Sequence, residues 1–199
     1  AVDGASGSGK GTIASEVAKF VINRGYNVEI IGLDWFLKDK PWRTAIEKIV
    51  VGETLTDKDR DLLGDLANTI MAGQPYMAEE GFWHQDRVLK LLQDLADFRR
   101  SSEESTTLVA PDVYIRGEPQ RTNKEIKLKK DGGKKGLVVI VEGKYAFREE
   151  LVGFYDLRYR INDSADRTKA KFEMRTRQTN PNSADRQMKF YDIGLIPPY

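Results

Sequence analysis

The spacing of hydrophobic residues predicts that the first 33 residues contain a helix followed by a strand. The apolar positions of the helix recur at intervals of three and four, as one buried face requires, and they are Ile13, Val17, Phe20 and Val21. The next run, NVEIIGL at 27–33, is typical of a buried strand. Because a glycine-rich loop precedes the helix, the order of elements favours the βαβ unit of a parallel sheet.

Residues 43–100 carry helical patterns and predict a helical insertion. One apolar stripe contains Leu62, Leu63, Leu66, Ala67, Ile70 and Met71. A second stripe follows Asp86, which we expect to cap its helix, and contains Val88, Leu91, Leu92 and Leu95. Both stripes are interpreted as core-facing rather than as contacts to a cofactor.

The second half of the chain predicts a hairpin and two further strands. Residues 111–136 are rich in turn formers and alternate in polarity, which favours a hairpin that turns at 131–133, Asp-Gly-Gly. The continuous apolar run at 137–141 predicts a central parallel strand. The alternation at 157–161 predicts a half-buried strand.

Composition and charge indicate one α/β domain over residues 1–199. The 32 basic and 31 acidic side chains leave a net charge of +1, so no overall field favours a nucleic-acid or membrane partner. The chain has no cysteine and no apolar run long enough to span a bilayer, and we expect a cytoplasmic protein. The start without methionine and the end at IPPY predict a fragment of a longer protein, which leaves further domains and a homo-oligomer open.

A glycine-rich segment near the start matches the pattern of a phosphate-binding loop, G-x-x-x-x-G-K. Its glycines allow several backbone N–H groups to point at one phosphate, the following helix adds its positive end, and Lys10 reaches the terminal phosphates. The sequence therefore predicts an ATP-binding site at Gly4, Ala5, Ser6, Gly7, Ser8, Gly9, Lys10, Gly11 and Thr12.

The loop departs from the usual pattern at Gly11, which stands where a serine or threonine hydroxyl normally holds Mg²⁺. The order GSGKGT resembles the loops of nucleoside-monophosphate kinases, such as the adenylate and cytidylate kinases. Thr12 or a water molecule is then expected to supply the missing magnesium ligand.

Two carboxylates follow directly after predicted parallel strands. Asp34 comes after 27–33, and Glu142 comes after 137–141. The carboxyl ends of parallel strands meet at one edge of a sheet, so both side chains should face the phosphate loop. A carboxylate there accepts the proton of an acceptor hydroxyl or holds the metal that bridges the phosphates. Asp34 is therefore a candidate base and, together with Glu142, a candidate magnesium ligand.

Five segments after the phosphate loop follow one another in the order of a known family's motifs. They are LDWF (33–36), FWHQD (82–86), VYIRGEPQR (113–121), VVIVEG (138–143) and DSADRTKAKFEMRTR (163–177). With the loop, they resemble the uridine kinase family of P-loop kinases, which looks related to phosphoribulokinases and pantothenate kinases. The resemblance covers nearly the whole chain. It implies a P-loop NTPase fold, in which helices flank a parallel sheet, with a helical insertion and a basic lid helix.

The resemblance also implies how the conserved chemistry of that family would map onto this chain. Asp34 would be the base that prepares the acceptor hydroxyl, while Glu142 and Thr12 would hold magnesium. Arg175 and Arg177 would close over the phosphates of ATP, where cations are needed to meet the negative charge that spreads in the transition state.

The chain departs most from the family pattern in the acceptor pocket. The resemblance places Trp83, His84, Tyr114 and Arg121 around the acceptor, although His84 also fits a packing role beside Trp83. Trp83 stands where nucleoside enzymes have the aspartate that holds the ribose hydroxyls, and Leu37 stands where they have a tyrosine. A site that loses hydrogen-bonding partners loses discrimination between substrates, so the motifs predict an ATP-dependent kinase more directly than they predict its acceptor.

Ser164 is expected to cap a polar helix at 165–178, within a lid segment at about 164–186. The basic residues of this helix are Arg167, Lys169, Lys171, Arg175 and Arg177. Between residues 165 and 177 they outnumber two acidic residues, Asp166 and Glu173. This excess favours a phosphate-binding lid over an ordinary solvated helix.

The sequence leaves three functions open. The preferred one is an ATP-dependent kinase, with magnesium, whose acceptor is a hydroxyl of a small molecule and is best matched by uridine or cytidine. The first alternative is a nucleoside-monophosphate kinase, in which Arg43, Arg116 and Arg121 would hold an acceptor phosphate. The second alternative is a non-catalytic, ATP-binding regulatory domain of a larger protein.

Overall fold

The computed structural model describes residues 1–71, 81–115, 120–131 and 134–192, and their packing divides the chain into two compact units. The first unit consists of Ala1–Gly4, Gly9–Phe36 and Gln85–Asn162. The second unit consists of Ala5–Ser8, Leu37–His84 and Asp163–Tyr199. The segment that matches a phosphate-binding loop therefore contributes residues to both units.

The first unit is built on a parallel sheet. The strands are, in chain order, β1 (Val2–Gly4), β2 (Asn27–Gly32), β3 (Ser105–Val113), β4 (Thr122–Lys129), β5 (Leu137–Glu142) and β6 (Tyr159–Ile161). Strands β2, β5, β1 and β6 lie side by side in that order and run parallel, so the prediction of a parallel sheet is confirmed. Strand β5 lies between two neighbours, as its continuous apolar sequence predicts.

Helices account for most of the other described residues. They are α1 (Lys10–Asn23), α2 (Lys40–Val50), α3 (Asp57–Leu63), α4 (Asp65–Met71), α5 (Gln85–Arg100), α6 (Glu149–Val152), α7 (Ala165–Thr179) and α8 (Ala184–Phe190). Helix α5 begins one residue before its predicted cap, Asp86, and buries Val88, Leu91 and Leu92 as expected. Among the described residues, no helix combines the length and apolarity needed to cross a membrane.

Helix α1 is confirmed, but it buries a different face from the one its large apolar residues suggest. Ile13, Val17 and Phe20 are 37%, 42% and 54% exposed. The side chains that pack into the core of the sheet are Ala14 and Ala18, at 0% and 6% exposed. Their small size allows the helix backbone to approach the strands closely.

The β-hairpin of the first unit lies earlier in the chain than predicted. Strands β3 and β4 pair antiparallel, so the connection between them is 114–121. The predicted turn at 131–133 follows β4 instead, and its two glycines lie outside the described residues. The predicted turn position is wrong because β3 is a polar, half-exposed strand that contains Pro111, and such a strand gives a weak sequence signal.

In the second unit, α2 packs against α3, α4 and α8. The first apolar stripe is divided between two helices, because Gly64, with a φ of 53°, ends α3 directly before α4 begins. Leu63, Ala67 and Ile70 of this stripe are buried, whereas Met71 is 56% exposed. Half of the six predicted core residues are therefore buried, and the sequence pattern missed the break between the two helices.

Candidate functional site

The glycine loop, residues 4–9, contains two glycines in the left-handed conformation. Gly7 and Gly9 have φ angles of 88° and 87°, in the left-handed region that glycine adopts without strain. Gly9 is the N-cap residue of α1 and supplies no side-chain hydrogen bond to the first turn. The N–H groups of that turn, which a capping side chain would otherwise satisfy, are therefore suited to bind an anion.

Three further observations on the loop fit a phosphate group. Ser8 is 6% exposed, and among the described residues its Oγ has no hydrogen-bond partner, which is costly for a buried hydroxyl. A Cβ placed on Gly9 would meet no atom within 4 Å. Lys10, the first residue of α1, is half-buried. The loop thus offers an unsatisfied polar atom, open space and a cation within a few residues of sequence.

Glu142 lies where the sequence predicts, at the carboxyl end of β5 in the first unit. It is paired in register with Gly32, the last residue of β2. Its Oε1 lies 3.3 Å from the position that a Cβ on Gly32 would occupy and 4.0 Å from the corresponding position on Gly11. The carboxylate is therefore close to the first turn of α1. Asp34 follows Gly32 by two residues and is exposed in a 3₁₀ turn at Leu33–Phe36.

The acidic residues of the described ranges do not form a preorganised metal site. No group of three or more histidine, cysteine, aspartate or glutamate side chains among the described residues could hold a metal ion. Mg²⁺ is commonly held by one or two carboxylates together with substrate phosphates. Glu142 and the exposed Thr12 in the first turn of α1 are therefore compatible with Mg²⁺ that arrives together with a nucleotide.

Gly143 keeps the end of β5 close to the turn that carries Asp34. Its N–H donates a 3.1 Å hydrogen bond to the carbonyl oxygen of Val2. A Cβ on Gly143 would lie 2.5 Å from the Cβ and 2.9 Å from the Cγ of Leu33, distances that real Cβ contacts essentially never reach. The close approach therefore requires glycine.

We expect Gly143→Ala to lower the free energy of unfolding by about 1–3 kcal/mol, because the added methyl group overpacks the contact with Leu33. Urea unfolding of the variant and the wild type measures the difference. Gly153→Ala is the matched control, since a Cβ there would meet no atom within 4 Å. Equal losses in the two variants would contradict the expectation.

Two residues that sequence reasoning missed follow Glu142. Lys144 is only 5% exposed, and its Nζ lies 4.4 Å from the ring centroid of Tyr145. Tyr145 has a φ of 68°, a conformation that is uncommon for a residue with a side chain. Asp3, also buried, accepts a 3.1 Å hydrogen bond from the N–H of Ala146 and so helps to fix this segment. Burial and backbone angle reveal these residues, and neither leaves a signal in the sequence pattern.

The structure places Tyr114 and Arg121 at the hairpin of the first unit. The N–H of Tyr114 donates a 2.7 Å hydrogen bond to the carbonyl oxygen of Trp35. Arg121 donates from Nη1 to the carbonyl oxygen of Asp112 at 2.6 Å, and Arg87 binds the carboxylate of Asp112 at 2.9 Å. Asp112 sits at an irregularity of the β3–β4 pairing with a φ of 50°. Arg121 therefore stabilises the hairpin, besides any role toward an acceptor.

The two positions that depart from the family pattern contact each other in the second unit. Leu37 and Trp83 form an isolated antiparallel bridge. Next to it, the N–H of Lys38 donates a 2.7 Å hydrogen bond to the carbonyl oxygen of Phe82, whose ring stacks on Phe190 at 5.2 Å. His84, which follows directly, is half-buried. Backbone pairing therefore joins the two positions at which the sequence departs from the family pattern.

Helix α7 begins as predicted, because the Ser164 side chain caps it by accepting a hydrogen bond from the N–H of Arg167. Its cations, however, are largely paired. The ion pairs are Arg167–Asp163 (3.4 Å), Lys171–Asp163 (2.8 Å), Lys169–Asp192 (2.7 Å), Arg177–Glu173 (2.9 Å) and Arg177–Asp185 (3.3 Å). Four of these five contacts involve a carboxylate that lies outside the helix, either just before it or later in the chain. The hydrogen bond from Lys171 lowers the pKa of Asp163.

The local charge of α7 is therefore smaller than a count within residues 165–177 suggests. Asp163, Asp185 and Asp192 all lie outside that window and offset its excess of cations. The guanidinium of Arg175 lies 5.4 Å from the ring centroid of Phe172. Of the two arginines expected to meet phosphates, Arg177 would have to exchange its carboxylate partners for a phosphate.

Comparison with known proteins does not assign the chain to a family. A scan against protein-family models found no match to the chain, and a search of curated proteins found no sequence that matches at a significant level. The resemblance to uridine kinases consequently rests on the sequence motifs themselves.

Proposed function

We propose that this chain is an ATP-dependent kinase with a P-loop NTPase fold, which transfers the γ-phosphoryl group of ATP to a hydroxyl of a small molecule. The observation that carries the proposal is the glycine loop. It joins β1 of a parallel sheet to α1, holds Gly7 and Gly9 in the left-handed conformation, and leaves the first turn of α1 without a capping side chain. This combination is suited to bind phosphate groups.

The proposed chemistry assigns one task to each group of candidate residues. The N–H groups of the loop and Lys10 bind the phosphates, and Glu142 with Thr12 binds the Mg²⁺ that accompanies them. Asp34 accepts the proton of the acceptor hydroxyl while the oxygen of that hydroxyl forms a bond to the γ-phosphorus. The bond from that phosphorus to the bridging oxygen breaks, and ADP leaves. Arg175 and Arg177 are proposed to add positive charge near the phosphates in the transition state.

The best acceptor that we propose is a pyrimidine nucleoside, uridine or cytidine, with Tyr114 and Arg121 of the first unit as its candidate contacts. Because Leu37 and Trp83 stand where the family pattern has polar residues, a ribose would receive fewer polar contacts here. The panel of acceptors to be tested therefore extends beyond nucleosides.

The alternative of a nucleoside-monophosphate kinase stays open. Of its three arginines, Arg43 donates from Nε to the carbonyl oxygen of Lys38 at 2.8 Å, and Arg121 donates to the carbonyl oxygen of Asp112. Both keep further guanidinium N–H groups that can bind an acceptor phosphate. Arg116, the third arginine of that alternative, lies outside the described residues.

The test is ADP production from Mg-ATP with a panel of acceptors: uridine, cytidine, their monophosphates, pantothenate and sugar phosphates. Lys10→Ala provides the blank. Turnover with an unphosphorylated nucleoside supports the proposal, and turnover with monophosphates alone would replace it by the nucleoside-monophosphate kinase. A flat panel, with a melting temperature that Mg-ATP still raises, would point to the non-catalytic ATP-binding domain.

A further inference from the structure

The middle of the glycine loop lies against the backbone of α7 within the second unit. A Cβ placed on Gly7 would lie 2.7 Å from the carbonyl oxygen of Thr168 and 3.3 Å from the backbone nitrogen of Phe172. The first distance is shorter than real Cβ contacts reach. Both atoms belong to the helix backbone, so no side-chain rotation can relieve the clash. The contact therefore depends on glycine at position 7 and on the place of this turn of α7.

Buried side chains hold that turn of α7 in place. Thr168 is 1% exposed, its Oγ1 lies 2.9 Å from the carbonyl oxygen of Ala165, and it accepts a 3.0 Å hydrogen bond from the hydroxyl of Tyr191. The ring of Tyr191 is fully buried and stacks on Phe172 at a centroid distance of 4.8 Å. Met188 completes this cluster. Lys171, which pairs with Asp163, also lies at this contact, since its Cβ is 3.6 Å from the position of a Cβ on Gly7.

We propose that this turn of α7 is a wall of the glycine loop, and that Thr168 and Tyr191 are positioning residues for phosphate binding. The inference rests on the proposed function, because it gives α7 control over the conformation of a loop that binds ATP. Within the loop, the N–H of Ser8 donates a 3.1 Å hydrogen bond to the carbonyl oxygen of Ala5, next to the residue that touches α7. A wall that fixes Gly7 therefore also fixes this tight turn.

The physical consequence is preorganisation. A loop that is already held in its binding conformation loses less conformational entropy when a phosphate binds. If the turn of α7 moves away from Gly7, the loop samples other glycine conformations and its affinity for phosphate falls. Thr168 and Tyr191 then act on the nucleotide without touching it. In this proposal the turn of α7 at Thr168 holds the loop, and this role does not depend on the positions of Arg175 and Arg177.

The first test is Tyr191→Phe, which removes the hydrogen bond to Thr168 but keeps the ring that stacks on Phe172. Loss of one such bond is expected to raise the Kd of Mg-ATP about 2–10-fold and to speed amide exchange at residues 5–8 in the ligand-free protein. The Kd of the acceptor should not change. Tyr159→Phe is the matched control, because Tyr159 is 71% exposed on β6, and it should leave the Kd and the exchange unchanged.

The second test compares two glycines of similar backbone conformation. Gly7→Ala places a Cβ against the helix backbone, and its Kd for Mg-ATP is expected to rise roughly tenfold or more. Gly52 has a φ of 75°, but a Cβ there would meet no atom within 4 Å. Gly52→Ala therefore introduces similar strain without the clash and should bind Mg-ATP like the wild type.

The exchange measurement separates this inference from the proposed function. Unchanged exchange at residues 5–8 in Tyr191→Phe would overturn the inference, whether or not the protein binds ATP. A lower melting temperature with an unchanged Kd would do the same, since it would make the hydrogen bond merely structural. The wild type could also bind no Mg-ATP while Tyr191→Phe still speeds amide exchange at residues 5–8. In that case α7 does hold the loop, and the kinase proposal fails.

Discussion

Asp34→Asn is expected to lower kcat for phosphoryl transfer by about 10²–10⁴-fold, the range that a general base contributes. The amide has nearly the size of the carboxylate but cannot accept the proton of the acceptor hydroxyl. Asp34 is exposed in the turn after β2, so the change opens no cavity and should leave the fold stable. The Kd of Mg-ATP should stay close to that of the wild type, because the loop N–H groups and Lys10 bind the phosphates.

The measurement is single-turnover ADP formation at saturating Mg-ATP, together with a separate titration of Mg-ATP binding. A loss confined to kcat identifies an interaction that is made in the transition state, whereas a rise in the Kd of ATP would identify ground-state binding. Asp156→Asn is the control, since Asp156 is an exposed residue of the first unit that forms a surface ion pair with Arg99. We expect that variant to turn over normally.

An Asp34→Asn variant with undiminished kcat would rule out a base at this position. It would favour acceptors that carry a phosphate, because such acceptors gain little from a base. The same result with a weaker response to magnesium would assign Asp34 to the metal instead, which the sequence leaves open. The variant therefore distinguishes a general base from a magnesium ligand at Asp34.

Patterns that depend on short stretches of sequence were predicted well. The parallel strands at 27–32 and 137–142 and the cap at Ser164 each follow from local chemistry. Continuous apolar runs predict buried parallel strands, and a serine before a polar helix predicts its first hydrogen bond. The candidate residues that depend on these elements, such as Glu142, are accordingly found close to the first turn of α1.

The predictions that failed depend on packing that the sequence pattern does not encode. In α1, large apolar residues mark the helix, but Ala14 and Ala18 form the buried face because only small side chains permit a close approach to the sheet. In α7, a count of charges along the helix misses Asp185 and Asp192, which reach it from later in the chain. The contact between Gly7 and Thr168 is of the same kind, since 161 residues separate its partners.

Glu47→Gln is expected to stabilise the protein at pH 8 by about 3 kcal/mol and to leave its stability near pH 4.5 almost unchanged. Glu47 lies on α2, is 9% exposed, and has its pKa raised from 4.5 to about 7. Burial is the main cause, and the positive charges of Arg43, Arg186 and Lys40 oppose it only in part. Glutamine keeps the shape of the protonated side chain and carries no charge at any pH.

The sign follows from the order of the two pKa values. The folded protein binds the proton of Glu47 more tightly than the unfolded chain does, so protonation stabilises the fold fully below pH 4.5. This stabilisation is lost as the pH rises through about 7, where the buried carboxylate ionises. An interval from 4.5 to about 7 corresponds, at about 1.4 kcal/mol per pH unit, to the roughly 3 kcal/mol expected above.

Urea unfolding between pH 4.5 and 8.5 tests the expectation, with Glu16→Gln as the control because the side chain of Glu16 is 64% exposed on α1. The Glu47→Gln curve should rise above that of the wild type as the pH increases, and the Glu16→Gln curve should follow the wild type. Parallel curves for Glu47→Gln and the wild type would mean that the cations balance the carboxylate completely. Glu53 is the closest acidic competitor for those cations, because it binds Arg186 at 2.9 Å and also raises the pKa of Glu47. Glu53→Gln should therefore free Arg186 to interact with Glu47. The stability of that variant should then depend less on pH than the stability of the wild type.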